Sequence, residues 1–159
     1  MPKRIKIDIY FSRFLNKHLS YYFGVTMNIN FVGGEVEFSS TGKPKYIYHD
    51  HKLILVLNPS NGGPSIQPPG VKLFLKTGIP QIVVDDVAVP HIREGKSLFC
   101  KHVISAPPDI PPNMVVILVD KNKQPIGIGR TMVDGKTMIE LNSGVAVRVK
   151  KGLSPPGGE

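Results

Sequence analysis

The sequence predicts a strand-rich α+β protein: a small α+β domain over residues 1–78, then a compact, partly closed β-barrel over residues 79–153. Three observations carry this. Hydrophobic residues make up 41% of the chain and fall in short runs rich in Val and Ile, enough for a folded protein. Sixteen Gly and 15 Pro punctuate those runs, as turns between short strands require. Only two stretches carry a helical pattern.

The first domain opens with the alternating "IKIDIYF" and then turns helical, with Phe11, Phe14, Leu15, Leu19, Tyr22 and Phe23 roughly three and four residues apart. Gly24 is the expected stop, because glycine takes the left-handed conformation that ends helices. "NINFVGGEVEF" and "PKYIYHDHKLILVL" alternate as strands do, the second as a hairpin turning near "HDHK". Asn58 to Gly70, "NPSNGGPSIQPPG", is dense in turn formers and is expected to be a loop. "VKLFLKTGIP" leads to a domain boundary near Gly78.

In the second domain "QIVVD" is expected as a strand, and "DVAVPHIREG" as a short helix capped by Asp85 or Asp86 and ended by Gly95. Pro90 gives that helix an irregular start. "SLFCKHVIS" follows as a strand and "APPDIPP" as a rigid loop. "MVVILVD", "PIGIGRTMV", "TMIELN" and "GVAVRVKK" are four further strands, with turns at "DKNKQ" and "DGK". One helix among about six strands is the pattern of a small barrel. Residues 154–159, "SPPGGE", are expected to form a flexible tail.

The formal charge is +8. Residues 1–78 hold ten Lys/Arg and four Asp/Glu, a net of +6, and residues 79–159 hold ten and eight, a net of +2. Such a balance favours a polyanionic partner. Nucleic acid ranks ahead of membrane, since no basic amphipathic helix with a bulky apolar face stands out. The alternative is a solvated surface that keeps the protein in solution. With one cysteine, no signal peptide and no long apolar span, the chain is expected in the cytoplasm without disulfides.

Catalytic chemistry finds little support. Cys100 is flanked by Lys96, Lys101 and His102, but a nucleophilic cysteine needs a base held in reach, and on a strand Lys101 would point to the opposite face. His102 would share the face of Cys100, yet no third orienting residue is recognisable, so a core cysteine is the expectation. His49 and His51 could share a face, but two ligands make no metal site. "GIGR" (Gly127 to Arg130) is followed by no helix, as a phosphate loop would be; its glycines instead suggest a bare backbone that lets a nucleic acid come close to Arg130. Asp85, Asp86, Asp109, Asp120 and Asp134 fall at caps and turns. No catalytic residue, metal site or cofactor is expected.

The order of elements in the second domain resembles a PUA domain, an RNA-binding pseudo-barrel attached to RNA-modifying enzymes. "VVDDVAVPHIREGKSLF", "PIGIGRTMV" and "GVAVRVKKG", spanning about Ile79 to Gly152, carry the resemblance. With "YYFG" and "GKPKYIYHDHKLILVLNPSNG" in the first half, the chain is similar to the two C-terminal domains of archaeal archaeosine tRNA-guanine transglycosylases. That family's catalytic barrel, with its aspartate nucleophile and zinc-binding cysteines, has no counterpart in 159 residues. The resemblance therefore implies a non-catalytic chain of a split enzyme. Its partners would be tRNA, held at the acceptor stem and CCA end, and a separate transglycosylase chain that exchanges guanine for a 7-deazaguanine precursor. The same fold also serves free-standing RNA-binding proteins in ribosome assembly or translation.

The resemblance places Gly95, Lys96, Ser97 and Lys101 beside an RNA groove, with Arg130, Arg148, Lys150 and Lys151 adding charge on the same side. Arg13, Lys43, Lys45 and Lys52 form the expected secondary basic surface. The alternative for each lysine is a free solvated side chain.

Overall fold

The chain divides into two units, Ile79 ending the first and Pro80 opening the second. The computed structural model describes residues 3–155. Of the expected tail, Ser154 and Pro155 carry no regular structure and the last four residues lie outside the described ones.

The first unit is a five-stranded antiparallel sheet with one long helix. Strand β1 (Arg4–Lys6) leads into helix α1 (Ile9–Phe23), then β2 (Glu35–Phe38), β3 (Pro44–His49), β4 (Lys52–Leu57) and β5 (Pro64–Ile66). The strands lie side by side in chain order. Asp8 caps α1 by accepting the Phe11 N–H at 2.8 Å, and Gly24 ends it at φ 71°, where its N–H returns to the Ser20 carbonyl. The helix buries Ser12, Leu15, Leu19 and Phe23.

"NINF" alternates like a strand but pairs with the helix instead. Asn16 donates to the Ile29 carbonyl at 2.7 Å and accepts the Ile29 N–H at 2.8 Å, and Ser12 Oγ accepts the Phe31 N–H. The hairpin at "HDHK" forms as expected, with Asp50 and His51 both at positive φ. The loop expected over residues 58–70 holds a further edge strand, β5, which places Ile66 opposite Leu55 and Pro64 opposite Leu57. Proline is tolerated there because it opens an edge strand. Helix α2 (Val71–Leu75) closes the unit by burying Val71 and Phe74.

The second unit orders its strands β7-β11-β10-β9-β6-β8. Strand β6 (Gln81–Val84) is followed by helix α3 (Val89–Arg93), β7 (Leu98–Phe99), a 3-10 turn at Cys100–His102, and β8 (Val103–Ser105). Then come β9 (Val115–Val119), β10 (Pro125–Thr131), helix α4 (Gly135–Glu140) and β11 (Val145–Gly152). β6 and β9 are parallel and every other pairing is antiparallel. The two edge strands, β7 and β8, are separated by only three residues of chain. So short a connection forces the edges of the sheet together, and the sheet curls into a nearly closed barrel. Ile82, Ile92, Leu98, Cys100, Val116, Leu118, Met138 and Val147 fill it.

Three expectations for this unit are corrected. "SLFCKHVIS" is not one strand: the 3-10 turn at Cys100–His102 splits it, because the chain must cross from one edge of the barrel to the other there. "TMIELN" and the "DGK" turn form α4, not a strand after a tight turn. Asp134 caps it by accepting the Thr137 N–H at 2.7 Å, and Met138 enters the core. The barrel thus carries two short helices, not one. Neither Asp85 nor Asp86 is the cap residue of α3, which Ala88 precedes and whose first turn holds Pro90. Asp85 instead holds the preceding turn by accepting the Ala88 N–H at 3.0 Å.

Candidate nucleic-acid interface

The 3-10 turn sends three neighbouring side chains in three directions. Cys100 is buried in the barrel, and burial pushes its thiol up from the ordinary range. Lys101 is exposed. His102 Nδ1 meets Asp85 Oδ2 at 2.9 Å while the Asp85 N–H donates to the His102 carbonyl, latching β8 to the end of β6. Partial burial opposes ionisation of Asp85, yet hydrogen bonds from His102 and the Ala88 N–H outweigh it and hold the carboxyl below its ordinary range. His102 therefore faces Asp85 and not the thiol, and the face once expected to unite His102 with Cys100 does not exist. A buried thiol whose charged form is disfavoured is a poor nucleophile. Among the described residues, no group of three or more His, Cys, Asp or Glu is placed to hold a metal ion.

The expected RNA-contacting cations fall into one main row and one outlier. Arg130 stands directly opposite Arg148 across β10 and β11, so both side chains share a face. Arg130 also donates to the Asn113 carbonyl at 3.2 Å, which fixes its direction. Leu98 stands opposite Val147, so Ser97, one residue earlier, sits at the end of β7 beside the position of Arg148. Lys151 stands opposite Ile128, and Lys150 is the extra residue of a bulge between Lys151 and Val149. Arg148, Lys150 and Lys151 are exposed.

The end of α3 joins this row. Gly152 packs against the Arg93 carbonyl, and Arg93 donates to the Leu153 carbonyl at 2.8 Å. Gly95 turns the chain at φ 91° with open space on its side-chain position, and Lys96 follows, 3.3 Å from Glu94. Sequence reasoning missed Arg93, because nothing local showed that it would reach the Leu153 carbonyl and clamp the end of β11. Lys101 is the outlier. The Cys100 N–H donates to the carbonyl of Gly144, which immediately precedes β11 and lies four residues before Arg148, so Lys101 sits toward the other end of the strand.

The glycines of "GIGR" serve the interior. A Cβ on Gly127 would meet Ile92 at 2.8 Å, and one on Gly129 would meet Val147 at 2.6 Å and the Arg148 carbonyl at 2.7 Å. Both residues are buried, so they let α3 and β11 close on β10 and do not open the backbone to a ligand.

In the first unit Arg13 is exposed on α1, Lys43 and Lys45 lie at the start of β3, and Lys52 opens β4 beyond its far end. A six-residue strand spans about 20 Å, so Lys43 and Lys52 do not share one spot. Lys45 lies over the Tyr46 ring at 5.0 Å.

Residues 80–153 match the family model of the PUA domain. The chain is 30% identical over 145 residues to the tRNA-guanine(15) transglycosylase of Pyrococcus abyssi, covering 89% of this chain and 25% of that one. It is 32% identical over 137 residues to the corresponding protein of Thermococcus onnurineus, covering 84% and 24%. The chain thus spans about a quarter of the length of these relatives. Among solved structures, a hypothetical protein from Pyrococcus horikoshii OT3 shares the fold with TM-score 0.69 and 22% identity over 94% of each chain. A conserved PUA domain protein from Thermoplasma acidophilum does so with TM-score 0.69 and 18% identity, over 96% of this chain and 95% of that one.

Proposed function

Taking as premise that residues 80–153 are a PUA domain, we propose that this chain is the non-catalytic, tRNA-binding part of a tRNA-guanine transglycosylase whose catalytic part is a separate chain. The observation that carries the reading is the match to transglycosylases along 89% of this chain but only 25% of theirs. The remaining three quarters of those enzymes is where the chemistry would reside. The PUA family implies RNA binding, and the relatives' names supply the context of tRNA modification.

On this reading the row Lys96, Ser97, Arg130, Arg148, Lys150 and Lys151 holds the acceptor stem and CCA end of a cytoplasmic tRNA. Lysines act on phosphates as mobile point charges, whereas Arg130, steadied by the Asn113 carbonyl, offers a directed fork. Recognition is by backbone and shape, as is usual for structured RNA. Lys101, toward the other end of β11, contributes least, and no cofactor is needed.

Affinity purification from native extract, with and without ribonuclease, tests this. The expected result is a larger transglycosylase-like chain that stays bound after ribonuclease, and base exchange on tRNA that needs both chains. One observation favours a second reading, a PUA protein acting in ribosome assembly or translation: the fold is shared almost end to end with solved chains that lack further domains. Recovery of ribosomal proteins and RNA alone would move the assignment there.

A further inference from the structure

The outward face of α1 is built against the usual rule for a surface helix. At about 100° per residue, the buried Ser12, Leu15, Leu19 and Phe23 define one side, and Tyr10, Lys17 and Tyr21 fall diametrically opposite, flanked by Arg13 and Phe14. That side belongs to water and should be acidic and basic. Instead Tyr10 is 74% exposed, Phe14 49% and Tyr21 92%. The helix contains no Asp or Glu at all. Aromatic rings alternate with cations along ~16 Å of helix, from Tyr10 to Tyr21.

Phe14, the middle ring of the stripe, is held in place by its neighbours, while Tyr10 and Tyr21 project into solvent. Phe38, Phe11, Phe14 and His18 form a continuous ladder, with centroids 6.2, 5.5 and 6.2 Å apart, and His18 Nε2 is anchored on the Gly62 carbonyl at 2.7 Å. A hollow adjoins each end of the stripe. One, of about 400 Å³, is edged by Ile5, Lys6, Tyr10, Phe14 and the capping Asp8, whose carboxylate is engaged by the Phe11 N–H; the other, of about 680 Å³, by Lys17, Tyr21 and Met27.

We infer that this face of α1 is a stacking platform for unpaired RNA bases, a second RNA contact separate from the barrel's basic row. The charge decides between occupants. An apolar protein groove would gain nothing from Arg13 and Lys17, whereas a strand of RNA offers both rings to stack and phosphates to neutralise. The stripe has room for two or three bases. The inference rests on the reading of the chain as RNA-binding, and extends it to single-stranded RNA.

The test uses the full chain and two probes, a ten-nucleotide oligoadenylate and a blunt RNA hairpin closed by a non-nucleotide linker, which leaves no unpaired base. Replacing all three rings (Y10A/F14A/Y21A) is expected to weaken oligoadenylate binding ~10-fold or more, as the loss of one or two stacked bases requires, and to leave hairpin binding unchanged. Y10F/Y21F keeps the rings and is expected to retain affinity. Because the chain has no tryptophan, oligoadenylate should quench tyrosine emission in the parent and much less in Y10F/Y21F. R13Q/K17Q, which leaves the rings in place, should weaken binding and flatten its salt dependence.

Unchanged oligoadenylate binding by the triple variant would overturn the inference. If R130Q/R148Q then still weakened hairpin binding, the barrel's RNA-binding role would stand alone. Failure of the parent to bind either probe would sink both. A triple variant that binds RNA normally but loses a co-purifying protein chain would make the face a protein interface and overturn the inference equally.

Discussion

Asp85 is the residue that latches β8 to the end of β6, since its carboxylate ties both His102 and the turn before α3. Two hydrogen bonds to a charged group place the cost of Asp85→Ala at about 2 kcal/mol, read by denaturant unfolding at pH 7. The sign with pH follows from the depressed folded-state value. Stability from this group is complete above its ordinary value of 3.8 and is lost as pH falls through the lower folded value. The parent should therefore lose stability below about pH 4, and Asp85→Ala should lose less over the same interval. Gly129 is the second such residue. A methyl there must displace the Arg148 carbonyl, so Gly129→Ala is expected to lower stability by about 1–3 kcal/mol in thermal unfolding.

Elements were legible in the sequence where one signal dominated, and misread where two competed. α1, the β3–β4 hairpin, β10 and β11 each follow a clear period, β9 is an unbroken apolar run of strand length, and all form as expected. "TMIELN" is too short for its apolar pair to separate strand from helix, and Asp134, three residues before Thr137, is the cap signal that decides for α4. Asp134→Ala should accordingly cost about 1 kcal/mol of stability, measurable by chemical unfolding. The split of "SLFCKHVIS" could not be read locally, because its cause is closure of the barrel, a long-range constraint. The basic row was legible as residue types, but its geometry rests on strand register, which the bulge at Lys150 shifts by one. The hairpin turn offers the converse test. Asp50 and His51 hold positive φ at a cost that Asn and Gly avoid, so D50N/H51G is expected to raise stability by about 1 kcal/mol.

At the scale of the whole molecule the governing quantity is charge, +8 in total with +6 in residues 1–78. The first unit holds the larger excess, while the PUA unit arranges a smaller one into a row. Counterion release distinguishes the two uses of charge. A cation that sits on a phosphate contributes about one to the slope of log affinity against log salt, and a cation that only raises the local potential contributes less. R130Q/R148Q is therefore expected to flatten the slope for tRNA by about two, and K43Q/K52Q, which stand at opposite ends of β3, by less than one. Glu94 sharpens the same argument from the other sign. It sits 3.3 Å from Lys96 with both side chains mostly exposed, so the pair adds little to stability, and it must be parted or shared when Lys96 meets a phosphate. Glu94→Gln frees Lys96 and removes a repulsive charge from the edge of the row. Tighter tRNA binding at low salt, an advantage that shrinks as salt rises, and an unchanged melting temperature are the expected outcome. Titrations of parent and variant across a salt series check it, and equal affinity at every salt concentration would place Lys96 off the RNA path.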